Sequence, residues 1–269
     1  MSQISAKLVM ELRDSTNLPM MKCKQALEAA NGDKAAAIDW LRKQGLAAKD
    51  KFAGRETPNG SIGMALGTGK GVLVLLGCQT DFVANNETFK EFAKQLADLA
   101  LASGVASADE LKTKKVGEMT VDEAITAKIQ QIGENIVLAQ VTAISGAVVA
   151  GYNHGGRIAT IVTGSGGEKM RTVALHIASA SPAPVALDRT QVDPAIVNKE
   201  REILAALPDV AAKPEAMRPK IVEGKLGRFY KENVLLEQEI LLDGEKGESV
   251  EAYAKRNGFS LTGFIRLAV

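Results

Sequence analysis

"SIGMALGTGKGVLVLLGCQTDFVANNETFKEF" (residues 61–92) changes its hydrophobic period twice. The opening "SIGMALG" alternates, "GVLVLLGC" is continuously apolar, and Thr68-Gly69-Lys70 separates them, so the segment reads as a β-hairpin. From Glu87 the period becomes helical, with Phe89, Phe92, Leu96 and Leu99 at the spacing of one face. Between strand and helix stand Asp81 and Phe82, a charge beside a large aromatic. Asp81 can cap a turn and leave Phe82 at its tip. Spacing leaves two fates open for that ring. It can fold back onto Phe89 and Phe92, or it can be offered to a groove on another protein, with Asp81 reading a polar group alongside.

Toward the N-terminus, the first 45 residues read as three short helices, beginning in "MSQISAKLVMELRDS". Leu8 and Leu12 lie four apart; Cys23, Leu27 and Ala30 keep the i, i+4, i+7 rhythm of one face. Pro19 fits the first turn of the second helix, where a missing N–H costs nothing. Gly32 supplies a left-handed stop, Asp33 a cap for the third helix, and Gly45 its end. Ala37, Ile38 and Leu41 point inward with Trp40 close by. "AAKDKFAGRETPNG" (residues 47–60) is a polar connector broken at Pro58. Met20-Met21 opens the second helix; adjacent helical positions diverge by about 100°, so one methionine must face outward unless a neighbour covers it.

Toward the C-terminus, "SADE" (residues 107–110) and "TVDE" (residues 120–123) are capping-box sequences that start further helices. "NIVLAQVTAI", "AVVAGYNH" and "RIATIVTG" follow as strands, and "EKMRTVALHIASA" as a helix. A hairpin followed by a helix therefore occurs twice, which suggests two similar α+β halves. Helical patterns over residues 193–207 and 216–242 flank "PDVAAKP" and form a helical hairpin, with Ile203, Leu204 and Leu207 facing Val222, Leu226 and Phe229. A short helix, "SVEAYAKRNG", and a strand, "SLTGFIRLAV", close the chain.

With 46% hydrophobic and 24% charged residues among 269, the composition is that of an ordinary globular protein. A net charge of +1 gives no field that would steer the chain to nucleic acid or to an anionic membrane. No apolar run reaches the roughly 18–20 residues of a membrane span. Two cysteines make no disulfide framework and two histidines no metal cluster, so the expectation is a reduced, cytoplasmic protein without a cofactor.

Enzymatic signatures do not assemble. "GTGKG" (residues 67–71) lacks the first glycine of a phosphate loop, where Met64 stands, and its hydroxyl residue, where Gly71 stands; it reads as a hairpin turn. Asp81 and His154 have no orienting third group and no nucleophile at a recognisable spacing. His176, in an apolar helix, reads as a core or boundary histidine, Cys23 and Cys78 as small core residues, and Lys112, Lys114 and Lys115 as a solvated face.

"LRDSTNLPMMKCKQALEAANGDKAAAIDWLRKQG", "CQTDFVANNETF", "IGENI", "YNHGGRIATIV", "VALHIASASP" and "KIVEGKLGRFYKENVLLEQ" occur in this order over nearly the whole chain. Together they resemble the bacterial elongation factor Ts family. The resemblance implies an α+β fold with a three-helix module of the ubiquitin-associated type and its connector at residues 1–55. A core of two similar halves follows, 56–140 and 141–248, with a helical hairpin inserted at about 193–242 and a C-terminal module at 249–269. It implies guanine-nucleotide exchange on elongation factor Tu and no bond chemistry: the factor binds the GDP form, weakens retention of Mg²⁺ and phosphate, and releases GDP so that GTP can enter. Thr80, Asp81, Phe82 and Val83 then form the wedge inserted into the partner's G domain, and His154 and Gly155 of Tyr-x-His-Gly also face the partner. Arg13, Met20 and Met21 carry the N-terminal contact. Some relatives self-associate through the hairpin, which leaves a homodimer through this segment open.

Overall fold

The computed structural model describes residues 4–16 and 18–269. Residues 1–3, which the sequence reading includes in the N-terminal helical stretch, and Asn17 lie outside the described residues. The chain is an α+β protein whose contacts divide it into two compact units. One holds the residues up to Ala65 with Val72–Thr142 and Val269; the other holds Leu66–Gly71 with Ala143–Ala268.

In the first unit, α1 (Ala6–Thr16), α2 (Met20–Ala29) and α3 (Lys34–Phe52) precede β1 (Asn59–Gly67), β2 (Lys70–Cys78), α4 (Asp81–Asn85) and α5 (Glu87–Ser103). Then come α6 (Ala108–Lys112), β3 (Lys115–Val116), β4 (Met119–Thr120), α7 (Val121–Ile132) and β5 (Ile136–Ser145). The strand order β1-β2-β5 makes one sheet, and β3-β4 a two-stranded ladder too short to leave a periodic signal in the sequence. The first three helices bury Val9, Leu12, Leu18, Cys23, Ala26, Leu27, Ala37 and Leu41 together, with Ile38 and Trp40 half-buried against them. Asp33 caps α3 by accepting the Ala36 N–H at 3.0 Å, while Pro19 sits at the cap position of α2, just ahead of its first turn.

α3 does not stop at Gly45, as expected, but runs on to Phe52. Glycine inside a helix costs about 1 kcal/mol relative to alanine. At this position, however, a Cβ would come within 3.1 Å of Thr126 Cγ2 and 3.3 Å of Gln130 Oε1, so glycine is what lets α3 lie close against α7. Lys22 Nζ donates to the Gln130 carbonyl at 3.0 Å, Lys49 pairs with Asp122 at 2.7 Å, and Arg42 pairs with Glu123 along the same helix. On the sheet, a Cβ at Gly63 would fall 1.9 Å from the Ala93 carbonyl oxygen; α5 rests directly on β1 there. Thr120 and Glu123 complete a capping box on α7, and Ser107 accepts the Glu110 N–H at the start of the five-residue α6.

The second unit contains β6 (Val148–His154), β7 (Ile158–Ser165), α8 (Met170–Ser179), α9 (Pro194–Ala206), α10 (Pro208–Ala211), α11 (Arg218–Asn233), α12 (Val250–Arg256) and β8 (Ser260–Ala268). Its sheet has the order β6-β7-β8, antiparallel throughout, with a register shift at Thr163/Gly164. The three consecutive strands expected after Asn135 are thus shared between sheets: β5 joins β2, and the C-terminal strand takes the third place beside β7. The segment 249–269, expected as a module of its own, gives this unit β8 and α12, whose Val250, Tyr253 and Ala254 share a core with Val162, Met170, Val173, Ile177 and Leu235.

α11 ends at Asn233 rather than continuing to Leu242. Val234 turns extended (φ −104°, ψ 120°) and forms a parallel bridge with Ala186, while Leu235 N–H and Leu236 N–H donate to the carbonyls of Ala186 and Leu187. Burying Val234 and Leu235 in two different clusters breaks the helical period. In the helical hairpin, Val222 and Leu226 are buried as expected, but Ile203 is exposed and Val210 takes the buried place.

His176 is fully enclosed. Its Nδ1 accepts the Leu241 N–H at 3.3 Å, which leaves Nε2 to donate to Gln238 Oε1 at 3.0 Å. The Gln238 amide in turn donates to the carbonyls of Pro182 and Glu232. Burial holds the imidazole below its usual pKa, partly offset by the Gln238 bond. A histidine so depressed contributes stability fully above its unfolded value of about 6.5, and loses it as pH falls from there toward the folded value. We expect urea midpoints to fall between about pH 7 and pH 5, and to fall less steeply in His176→Asn. Equal slopes in the two proteins would show that His176 is not the group responsible.

Candidate functional site

β2 delivers Cys78, Gln79 and Thr80 to the start of α4, and every one of them is tied down. Thr80 is the N-cap: its Oγ1 accepts the Val83 N–H at 3.4 Å and donates to Glu134 Oε1 at 2.7 Å. The second oxygen of the same carboxylate, Oε2, accepts the Thr80 N–H at 3.1 Å. Asn135 donates its N–H to Gln79 Oε1 at 2.9 Å and its side-chain amide to the Arg55 carbonyl at 2.8 Å, while Asn59 donates to the Gln79 carbonyl at 3.0 Å. Cys78 Sγ donates to the Thr80 carbonyl at 3.2 Å; burial, and after it the charge of Glu134, push this thiol up to about 11. Gly133 makes the grip reachable, because at φ 83° it ends α7 in the left-handed region and turns Glu134 and Asn135 toward the joint.

α4 buries none of its five residues. Asn86 both ends it and caps α5, accepting the Thr88 N–H at 2.9 Å. Phe89 and Phe92 then enter the interior at 1% and 6% exposure, whereas Phe82 is 85% exposed. The ring therefore does not fold back onto its neighbours. Asp81 is also exposed, in the first turn of α4 where the free N–H groups favour an acid, and Val83 is half-buried. A cavity of about 420 Å³ opens beside the ring, lined among others by Thr80, Val83, Asn86, Lys128, Ile132 and Glu134. Lys128 lies 5.6 Å from the centre of the Phe92 ring, and burial holds its ammonium below the usual lysine range.

The other expected contact residues fall at two further places. Arg13 is exposed on α1, where it lies 3.5 Å from Asp14. Met20 and Met21 are both exposed, at 48% and 63%, where the helical period required only one of them to be; Met10 on α1, which sequence reasoning passed over, is exposed as well. In the second unit His154 ends β6, exposed, with Nδ1 2.9 Å from the Tyr152 hydroxyl. Gly155 and Gly156 follow with φ of 59° and 79°, and Arg157 N–H closes the turn on the His154 carbonyl at 3.0 Å. Among the described residues, no group of three or more His, Cys, Asp or Glu is arranged to hold a metal ion, and no helix is long and apolar enough to cross a membrane. Glu134, Asn135 and Gln79 were missed as site residues, although they stand inside the IGENI and CQTDFVANNETF stretches.

Fold and site define a class: an α+β protein that offers a solvent-facing aromatic at a strand-to-helix joint. The chain belongs to the elongation factor Ts family, whose model, described as "Elongation factor TS", matches residues 79–269. It is 41% identical to "Elongation factor Ts" of Nitrobacter hamburgensis over all of this chain and 93% of that relative. Proteins of the same name from Psychrobacter arcticus and Ruegeria pomeroyi are 40% and 38% identical, each over 99% of this chain and 90% and 92% of the relative, respectively.

The exposure difference between neighbouring phenylalanines has a direct stability test. Phe82→Ala is expected to move stability by no more than about 0.5 kcal/mol, the range of a surface change. Phe89→Ala is expected to lower it by about 3–5 kcal/mol, the range for emptying a core ring. Urea unfolding of the two variants measures both.

Proposed function

We propose that this chain is a guanine-nucleotide exchange factor in translation elongation that acts on elongation factor Tu, in the cytoplasm and without bond chemistry of its own. The observation that carries the reading is Phe82, a large apolar ring at 85% exposure on a turn fixed by side-chain bonds. An aromatic held in water at that exposure adds nothing to the core, and its place on a bonded turn beside exposed Asp81 supports a role as an anchor for another molecule.

Loosening a nucleotide about 10³-fold requires about 4 kcal/mol of coupling between two sites. Burying one phenylalanine supplies about 1.5–3 kcal/mol, so Phe82 acts with a wider contact. Thr80, Asp81, Phe82 and Val83 enter the G domain as a wedge and displace the partner's elements that retain Mg²⁺ and the phosphates. Residues 1–55 grip as a ubiquitin-associated-type module through Arg13, Met20 and Met21, and His154 with Gly155 adds a contact from the half at 141–248. Methionine suits such a surface because its unbranched, polarizable side chain adapts to the opposing shape. Binding is reciprocal: a factor that loosens nucleotide is itself loosened by nucleotide, so GDP or GTP can release it.

Stopped-flow release of fluorescent GDP from elongation factor Tu tests the reading. The unaltered chain is expected to accelerate release, and Phe82→Ala to slow the accelerated rate by about tenfold to a hundredfold, the equivalent of one lost ring burial. Acceleration that is unchanged in folded Phe82→Ala would remove the wedge; binding with no acceleration would make the chain a binding module instead. Titration calorimetry on Met20→Ala/Met21→Ala is expected to show affinity for the same partner reduced by at least about threefold, and an unchanged value would remove the N-terminal contact.

A further inference from the structure

The "IGENI" stretch (residues 132–136) enters neither the wedge nor the N-terminal contact, yet it holds the turn that carries Phe82. An isolated helix shorter than about 12–15 residues is marginal in water. α4 has five residues and buries none of them, so neither length nor core packing keeps it formed. In a capping box, the N-cap hydroxyl accepts the N3 N–H, and a Glu or Gln at N3 accepts the N-cap N–H in return. α7 does this locally, with Thr120 and Glu123 bonded at 3.2 Å and 2.9 Å. At α4 the first half is present, Val83 N–H to Thr80 Oγ1, but position N3 is valine and cannot return the bond. Glu134, 54 residues further on, returns it instead by accepting the Thr80 N–H at 3.1 Å, and adds the Thr80 hydroxyl at 2.7 Å.

We infer that Glu134 is a positioning residue that completes the capping box of α4 from a distant part of the chain and fixes Phe82 in its presented orientation before any partner arrives. Supplying the acceptor from elsewhere frees N3 for an apolar side chain, so that Val83, lining the cavity beside the ring, adds to the contact surface in place of a second acid next to Asp81. Asn135 secures the preceding residue through Gln79, and the left-handed Gly133 sets both side chains in reach. An ordered turn avoids the loss of conformational freedom that binding would otherwise entail. The effect of Glu134 therefore falls on how readily the complex forms, through Phe82. The inference rests on the exchange reading for its kinetic part alone.

The first arm needs no partner. Amide hydrogen exchange over residues 79–86 of the free full-length protein is expected to speed up at least about tenfold in Glu134→Ala while α5 and α7 keep their protection. Glu134→Gln, whose single amide oxygen can still accept the Thr80 N–H but whose NH2 cannot accept the hydroxyl, is expected to retain most of the slow rate, and Val83→Glu placed in the Glu134→Ala background to restore it by rebuilding the box locally. Unchanged exchange in Glu134→Ala, or no rescue by either acceptor, overturns the capping role. The second arm measures GDP release from elongation factor Tu against factor concentration. Glu134→Ala is expected to raise the half-maximal concentration about tenfold with little change in the plateau, but to add less than about twofold in a Phe82→Ala background. Equal effects in the two backgrounds overturn the positioning role. Thr80→Ala, which leaves Glu134 in place, serves as a second variant and is expected to repeat both changes. If the unaltered chain releases no GDP, the exchange reading fails and the first arm still decides the capping role.

Discussion

Two oxygens of one carboxylate, those of Glu134, close on the N–H and the hydroxyl of Thr80, and the arrangement around Phe82 depends on that closure. Each bond joins an ionised acceptor to a neutral donor, the kind that contributes about 1.5–3 kcal/mol when well formed. Both act on a helix that has no core of its own. Without them the turn keeps the Val83 N–H bond to Thr80 Oγ1, the Ala84–Thr80 and Asn86–Val83 backbone bonds and the Cys78 contact. The position of the exposed ring is thus set by polar bonds behind it rather than by packing around it.

α7 underlies more than this joint. Along its length it receives Arg42, Lys49 and Lys22 from the N-terminal helices, and Gly45 of α3 sits against Thr126 and Gln130. Ion pairs as exposed as Arg42–Glu123 contribute about 0–1 kcal/mol, so close approach at Gly45, and not charge, does most of the docking. One helix therefore carries contacts from the N-terminal helices on its face and the clasp for Thr80 just past its end. Within the first unit, the N-terminal helices and the aromatic turn are both bonded to α7 or to the residues that directly follow it.

What the sequence revealed follows from the range of the forces involved. The hairpin around Thr68-Gly69, the Asp33 cap and the helical phase of Phe89 and Phe92 are local, and each was legible because period and turn chemistry act over a few residues. Partner choice between strands was not: β5 and the C-terminal strand are both apolar, and nothing in either says which sheet it completes. Gly45 and the end of α11 misled for a related reason, since contacts with α7 and with Ala186 outweigh local propensity. At the site, Asp81-Phe82 stood out because charge beside an aromatic is odd at a strand end. Its support did not, because a glutamate 54 residues from the threonine it caps looks like any other surface acid.

The two thiols lend the molecule a practical property. Cys23 and Cys78 are both fully enclosed, and burial with the charge of Glu134 pushes the Cys78 thiol up to about 11, away from the thiolate form that attacks electrophiles. Enclosure of both sulfurs is expected to slow their reaction with maleimides in the native chain. A cysteine grafted anywhere on the outer surface would become its sole fast-reacting handle, ready to carry a dye or spin label without any prior removal of the natural sulfurs.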